Sequence, residues 1–535
     1  MAKLLPDWQS FSLKEKIGQM IVVRASGHLF DAQIRYPAWE VPNLQLQQWL
    51  KELNLGGVIL LGGSSAELLL RSQQLQSWAT TPLLIAADIE EGVGQRFSGA
   101  SWLPPPMALS AIARKNLALA EEYALKMGEI TAKEALTLGI NWLLAPVVDV
   151  NNNPANPVIN IRAFGDTPAI VSHLTTAFIK GAKQHPVLTT AKHFPGHGDT
   201  VTDSHLDLPT LLHADERLAE IELPPFQQAI AAGVDSVMTA HLLISAWDDK
   251  YPVTLSPLIL TGKLRQKLGF EGIIVTDALI MGGMTKYASP AEIAVMAVEA
   301  GVDILLMPDN PVTAIESIYE AVKTGRIAET RIDRSLARIW QAKEQVVFSP
   351  PNSLFELVSA EADRLTRSIL AHSLQVGGKI PLPPASDRSL RNLMVIDDVL
   401  NCNFLDINTP AVAIPKNLGY QLQLVDRNTI DAVKSDNRDT LLQVFIRGNP
   451  FRGNAGFTHQ AQRIYERLIE TNKLQGLIIY GSPYVLDWFC SRISPQLPWL
   501  FTYGQMPLAQ KIALEKLFDL SNQNLNYSSS QNFGF

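Results

Sequence analysis

Cysteine is nearly absent: Cys402 and Cys490 are the only two in 535 residues. That excludes a disulfide-stapled scaffold or a cysteine-rich metal knuckle, and it points to a reducing, cytoplasmic setting. A basic surplus is missing too. The formal charge is −7, so no positive field draws a nucleic-acid backbone, and nucleic acid is not an expected partner. No apolar run reaches the roughly 20 residues that span a bilayer. The opening MAKLLPDWQSFSLKEKIGQM has no signal-peptide core, so no membrane partner is expected either. What is present is a globular composition, 47% hydrophobic and 18% charged, in a chain too long for one core. Two domains are expected.

The first two-thirds of the chain alternates apolar runs with helical patterns. The runs cover 21–23, 57–61, 83–87, 142–147, 187–191, 236–240, 272–275 and 302–307. Continuous apolar strands are buried on both faces, as in a parallel sheet. Amphipathic stretches such as 117–138 and 170–183 separate them. The pattern predicts an α/β fold of the (β/α)8 barrel type, with irregular strands at its start. Residues 310–346 read as helix that closes this domain, with Arg331, Arg334 and Arg338 on an exposed face.

Polar groups follow the strands: Asp88, then Lys192 with His193, then His241, then Asp277. In a barrel such ends converge on one mouth. Packing alone explains them poorly, because unpaired buried charge is costly. The densest stretch is Lys192-His193-Phe194-Pro195-Gly196-His197-Gly198-Asp199-Thr200, running on to Asp203-Ser204-His205. Asp203 and His205 are two apart, so in an extended segment they share a face and the carboxylate orients the imidazole as a proton donor.

Other chemistries compete for this stretch. His193, His197, Asp199 and His205 form a candidate metal set, opposed by the proline and glycines that break the helix such spacing exploits. Lys192 has the place of a barrel Schiff-base lysine, although a Lys-His pair more commonly grips hydroxyls or anions. Asp277 leaves a β-branched strand and enters a loop whose Gly282 and Gly283 let a ligand approach. It suits an N-cap. It also suits a nucleophile facing an imidazole acid, the pairing that breaks a glycosidic bond with retention.

The stretch 192–200 with Asp203-Ser204-His205 resembles the signature of the β-N-acetylhexosaminidases of glycoside hydrolase family 3, of the NagZ-like type, in a two-domain form. The resemblance implies His205 as acid/base held by Asp203, Asp277 in Thr276-Asp277-Ala278-Leu279 as nucleophile, and Lys192 with His193 as sugar-binding groups. Arg162, within Asn156-Pro157-Val158-Ile159-Asn160-Ile161-Arg162-Ala163-Phe164-Gly165, matches the family's substrate-binding arginine. Asp88 and Arg96 match the two ends of its Asp-Gln-Glu-Gly-Gly-x-Val-x-Arg stretch. This chain departs there, with Ile89 for the glutamine and Glu91 for a glycine, which alters one wall of the pocket.

The function so implied is a retaining exo-β-N-acetylglucosaminidase that hydrolyses terminal β-linked N-acetylglucosamine from cell-wall fragments, or muropeptides. No cofactor and no metal are expected. Phosphorolysis is an alternative, because a histidine that has lost its proton is neutral and repels phosphate less than a carboxylate does. Another exo-β-glycosidase specificity is a second alternative, and an inactive sugar-binding protein a third.

Beyond 346 the texture changes. Residues 347–384 read as a linker and connecting helix, with breaks at 349–353 and at Pro381-Leu382-Pro383-Pro384 and a helix over 361–372. Short strands at 393–396, 441–446, 476–480 and 499–503, with helices such as 460–471 between them, predict a smaller α/β sandwich over 385–535. The polar end from 521 reads as frayed. Every candidate site residue falls in 1–346, the expected catalytic barrel.

Overall fold

Eight parallel strands close on themselves in the N-terminal unit. They are β1 (Ile21–Ser26), β2 (Gly57–Leu61), β3 (Leu84–Ala87), β4 (Trp142–Leu143), β5 (Thr190–Phe194), β6 (Ser236–Thr239), β7 (Ile273–Thr276) and β8 (Leu305–Leu306). The closing contacts are Ile21 with Leu305, Trp142 with Leu188, and Val275 with Ile304. This computed structural model describes residues 4–348, 354–383, 390–433, 438–448 and 455–520. The expected breaks at 349–353 and Pro384, and the tail from 521, lie outside them.

Registered partners in parallel strands point to the same side, so the inward set can be followed around the ring. Arg24 pairs with Ile59, Ile59 with Ala86, and Ala86 with Trp142. Lys192 pairs with Met238, and Met238 with Val275. The buried Trp142 indole donates to Thr190 Oγ1 at 2.9 Å and Ser236 Oγ at 3.1 Å, which pins the interior. The irregularities are at β4 and at β5, where the register on β6 shifts between Lys192 and Phe194, and not at the start of the barrel. Pro146 lies just beyond β4 and offers no N–H to the ladder, and pairing resumes only at Val147.

The helices Leu117–Thr137 and Pro168–Ala182 lie where the periodicity puts them. They cross closely because Gly128 and Gly181 carry no Cβ; one built on Gly181 would stand 1.9 Å from Leu125 O. The stretch 310–346 is two helices, Pro311–Lys323 and Glu329–Glu344, with Gly325 at φ +79° between them. Arg331 and Arg338 do not lie on a free face. They turn with Arg265 onto the fully buried Asp303 that precedes β8, because that carboxylate needs cationic partners.

The described residues divide into two compact units at Leu365/Thr366, inside the helix Ala360–Ser373. The second holds a six-stranded sheet, β9 (Gln375–Gly377), β10 (Leu390–Val395), β11 (Tyr420–Val425), β12 (Asp439–Ile446), β13 (Leu474–Gly481) and β14 (Trp499–Thr502). Its order is β9-β14-β13-β12-β10-β11, parallel except at β9. Leu441, Phe445, Ile478 and Leu514 lie in its core, and a buried chain of hydrogen bonds joins Tyr480, Gln443 and Asn392. Among the described residues no helix is long and apolar enough to cross a membrane.

Candidate active site

Four charges meet where β3, β5 and the 156–165 loop converge. Lys192, 1% exposed, reaches Asp88 and Glu90, each at 2.7 Å. Arg162 grips Glu90 with two parallel bonds of 2.8 Å. Burial would raise the Glu90 pKa, but the Arg162 and Lys192 charges outweigh it and hold the carboxyl well below its usual range. Burial likewise opposes charge on Lys192, and Asp88 and Glu90 overcome it and raise its pKa. An ammonium held this way is a poor imine-forming amine, so the Schiff-base reading does not fit this geometry.

Asp149, fully buried just past β4, organises the next group. Its carboxylate accepts from His193 N at 3.1 Å, His193 Nδ1 at 2.7 Å and His197 N at 2.7 Å. Burial would raise its pKa, and His193 more than reverses that, so Asp149 is ionised and His193 carries its proton on Nδ1. His197 is enclosed, and burial pushes its pKa down to about 4. Its ring nitrogens bond Thr200 Oγ1 at 2.6 Å and Ser204 Oγ at 2.9 Å.

The loop beyond β5 carries the Asp203–His205 dyad. Asp203 Oδ1 accepts from both His205 N and His205 Nδ1 at 2.9 Å, which fixes the ring. The loop docks on the segment that follows Asp277, where Gly282 N donates to His205 O and Gly283 N to Ser204 O. A Cβ on Gly282 would stand 2.8 Å from Leu206 O. The two glycines thus admit this loop, where the sequence suggested a ligand.

Asp277 sits at the end of β7, partly open to solvent. Burial would raise its pKa, but His193, His241 and His205 pull it down to about 2. Its Oδ1 accepts from Ala278 N at 2.7 Å, and the next helix starts only at Gly282, so it is not an N-cap. His241, at the end of β6, donates from Nε2 to Ala278 O at 3.1 Å and supports the same turn.

Asp88, Arg162 and Lys192 therefore join one polar cluster, His193 belongs to the group held by Asp149, and Asp203 with His205 forms a dyad coupled to Asp277 through the glycine contacts. Arg96 stands apart. It is exposed, and its Nε donates to the Asp88 carbonyl at 3.0 Å. Ile89 and Glu91 alternate away from Lys192: Ile89 is fully buried, and Glu91 accepts from Trp102 Nε1 at 3.0 Å. Glu90 and Asp149 have central places that the sequence did not single out. A polar residue just past a strand was the available signal for both. The candidate metal set does not converge, since His197 is bonded by Thr200 and Ser204 while Asp199 turns to His213 and Arg217. Among the described residues no cluster of three or more His, Cys, Asp or Glu is arranged to hold a metal.

A model of the glycosyl hydrolase family 3 N-terminal domain matches residues 12–342, and one of the bacterial family 3 C-terminal domain matches 384–519. β-Hexosaminidase A of Pseudoalteromonas piscicida is 34% identical over 333 residues, covering 56% of this chain and 55% of that protein. A β-hexosaminidase of Tolumonas auensis is 37% identical over 270 residues, covering 50% and 79%. The match thus spans about half the length of the first of these relatives. Among solved structures, a family 3 β-N-acetylglucosaminidase from Paenibacillus sp. superposes with a TM-score of 0.78 at 29% identity, covering 95% of this chain and 97% of that one. A β-glucoside phosphorylase has the same fold, with a TM-score of 0.79 at 22% identity and 95% and 92% coverage. With the N-terminal family model running through every strand of the barrel and the C-terminal model following it, the chain belongs to glycosyl hydrolase family 3.

Proposed function

We propose that the chain is a retaining exo-β-N-acetylglucosaminidase with Asp277 as nucleophile and His205 as acid/base. One observation carries the reading. The loop bearing His205 is fastened by Gly282 and Gly283 to the turn that bears an ionised Asp277. That contact supports a reading in which two groups with opposite proton demands act on one site. In the first step an Asp277 oxygen bonds the anomeric carbon while the glycosidic C–O bond breaks. The departing oxygen takes the proton from His205 Nε2, because Asp203 engages Nδ1. In the second step His205 removes a proton from water, the hydroxide oxygen bonds the same carbon, and the ester to Asp277 breaks. Asp88, Arg162, Lys192 and His193 grip the hydroxyls of the terminal sugar.

The relatives' names support N-acetylhexosamine as that sugar, and muropeptides in the cytoplasm are the substrate and setting we infer from the family resemblance. The test is turnover of an aryl β-N-acetylglucosaminide, with proton NMR of the sugar first released. β-N-acetylglucosamine appearing first supports the reading. The α-anomer, or no turnover, overturns it. Running the reaction in phosphate distinguishes the runner-up, in which N-acetylglucosamine 1-phosphate accumulates.

A further inference from the structure

Arg24 brings a positive charge to the inward face of β1, and neither the hydroxyl-gripping cluster nor the dyad uses it. Its register partner Ile59 pairs with Ala86, two residues before Asp88, so Arg24 points into the mouth from the β1 side. The loop 27–42 folds back to meet it. Glu40, 2% exposed, accepts from Arg24 Nε at 2.9 Å. Tyr36 and Trp39 stack at 5.8 Å with 16° between their planes, and the guanidinium lies 4.8 Å from one ring centre and 5.3 Å from the other. Arg24 Nη2 is enclosed and has no hydrogen-bond partner among the described residues.

The assembly is rigid at its base and open at its top. Tyr36 remains 42% exposed, and Phe30 on the same loop 68%. A packing role would bury these rings, and a plain solvated loop would not need a buried ion pair to fix their orientation. The mouth therefore has two unlike walls. On the β3–β5 side, carboxylates, lysine and arginine match hydroxyls; on the β1 side, aromatic faces match the C–H face of a pyranose ring.

We propose that the loop 27–42 is a sugar-stacking wall, with Tyr36 and Trp39 receiving the second sugar of the substrate, the one that departs as the leaving group. The inference rests on the β-N-acetylglucosaminidase reading. Arg24 acts as a positioning residue that holds the rings.

The test compares N,N′-diacetylchitobiose with β-N-acetylglucosaminyl fluoride, which has no second sugar. Tyr36→Ala and Trp39→Ala should each lower the chitobiose-to-fluoride ratio of kcat/KM about 10-fold, chiefly through KM. Tyr36→Phe should keep the wild-type ratio. Equal losses on both substrates, or an unchanged ratio in both alanine variants, overturn the proposal. If the wild type turns over neither substrate, the activity reading has failed, and chitobiose binding measured by calorimetry then decides. A 10-fold weakening in Tyr36→Ala sustains the wall, and unchanged binding overturns it.

Discussion

Glu90→Gln keeps the shape of the side chain and removes one charge from a buried group of four. The wild-type cluster balances Asp88 and Glu90 against Lys192 and Arg162. After the change two cations share Asp88, and Lys192 is only 1% exposed, so water cannot compensate. Removing one partner of a buried pair destabilises a protein by about 3–5 kcal/mol. In a large domain that lowers the melting temperature by roughly 5–10 °C. The pH dependence follows from the depressed Glu90 pKa. A carboxyl held below its unfolded value stabilises fully above about pH 5, and that contribution fades as pH falls below about 4. Urea unfolding of the barrel at pH 7 should show the full difference, and at pH 3.5 a smaller one. Adding Arg162→Met to Glu90→Gln restores the charge balance, so the double variant should lose less than the sum of the singles. A loss below about 1 kcal/mol at pH 7, a pH-independent loss, or simple additivity would refute the reasoning.

His205→Ala should lower kcat/KM by about 10²–10⁴-fold for an alkyl leaving group and far less for an activated aryl one; equal losses would make His205 a sugar ligand and not an acid. Gly282→Ala drives a methyl to within 2.9 Å of His205 O, so the dyad loop must shift and kcat should fall about 100-fold without unfolding, as read by kinetics beside a thermal melt. A fully active Gly282→Ala enzyme would show that this loop contact is dispensable. Lys343 is buried, donates to Gln19 Oε1 and Pro82 O, and has its pKa pushed down to about 7 by burial. Because its unfolded value lies near 10.4, the wild type should gain stability as pH rises from about 7 to 10. Lys343→Met should flatten that slope in denaturant unfolding; parallel slopes would contradict the buried, proton-poor lysine.

The strands were legible because runs such as 57–61 and 83–87 are apolar on both faces, a pattern with few other readings. β11 was not, since Tyr420–Val425 is an edge strand buried chiefly at its two ends and lacks such a run. The Asp203–His205 contact is local and so was within reach of the sequence, but the extended segment expected there is a turn: Leu206 N donates to Asp203 O, and Asp203 Oδ1 meets His205 N and Nδ1 across it. Glu90 was not within reach, since its partner Arg162 is 72 residues away and only the closed barrel brings them together. Asp149 was missed for a related reason. It lies just beyond the apolar run 142–147, and its partners His193 and His197 are 44 and 48 residues away, so only the closed barrel shows what it holds. Arg331 and Arg338 have helical spacing suited to a solvated face, and only the position of the buried Asp303 reveals why they turn inward.

The central claim is that Asp277 forms a covalent bond to the sugar. Incubating the enzyme with an activated 2-deoxy-2-fluoro glycoside, which lacks the acetamido group, should slow both steps and leave the intermediate in place. Peptide mapping is expected to find the label on Asp277, and Asp277→Ala should neither label nor turn over substrate. A label on any other residue would contradict the account. So would an absence of trapping combined with tight inhibition by a thiazoline mimic of the cyclised acetamido group, because the substrate's own oxygen would then be the nucleophile.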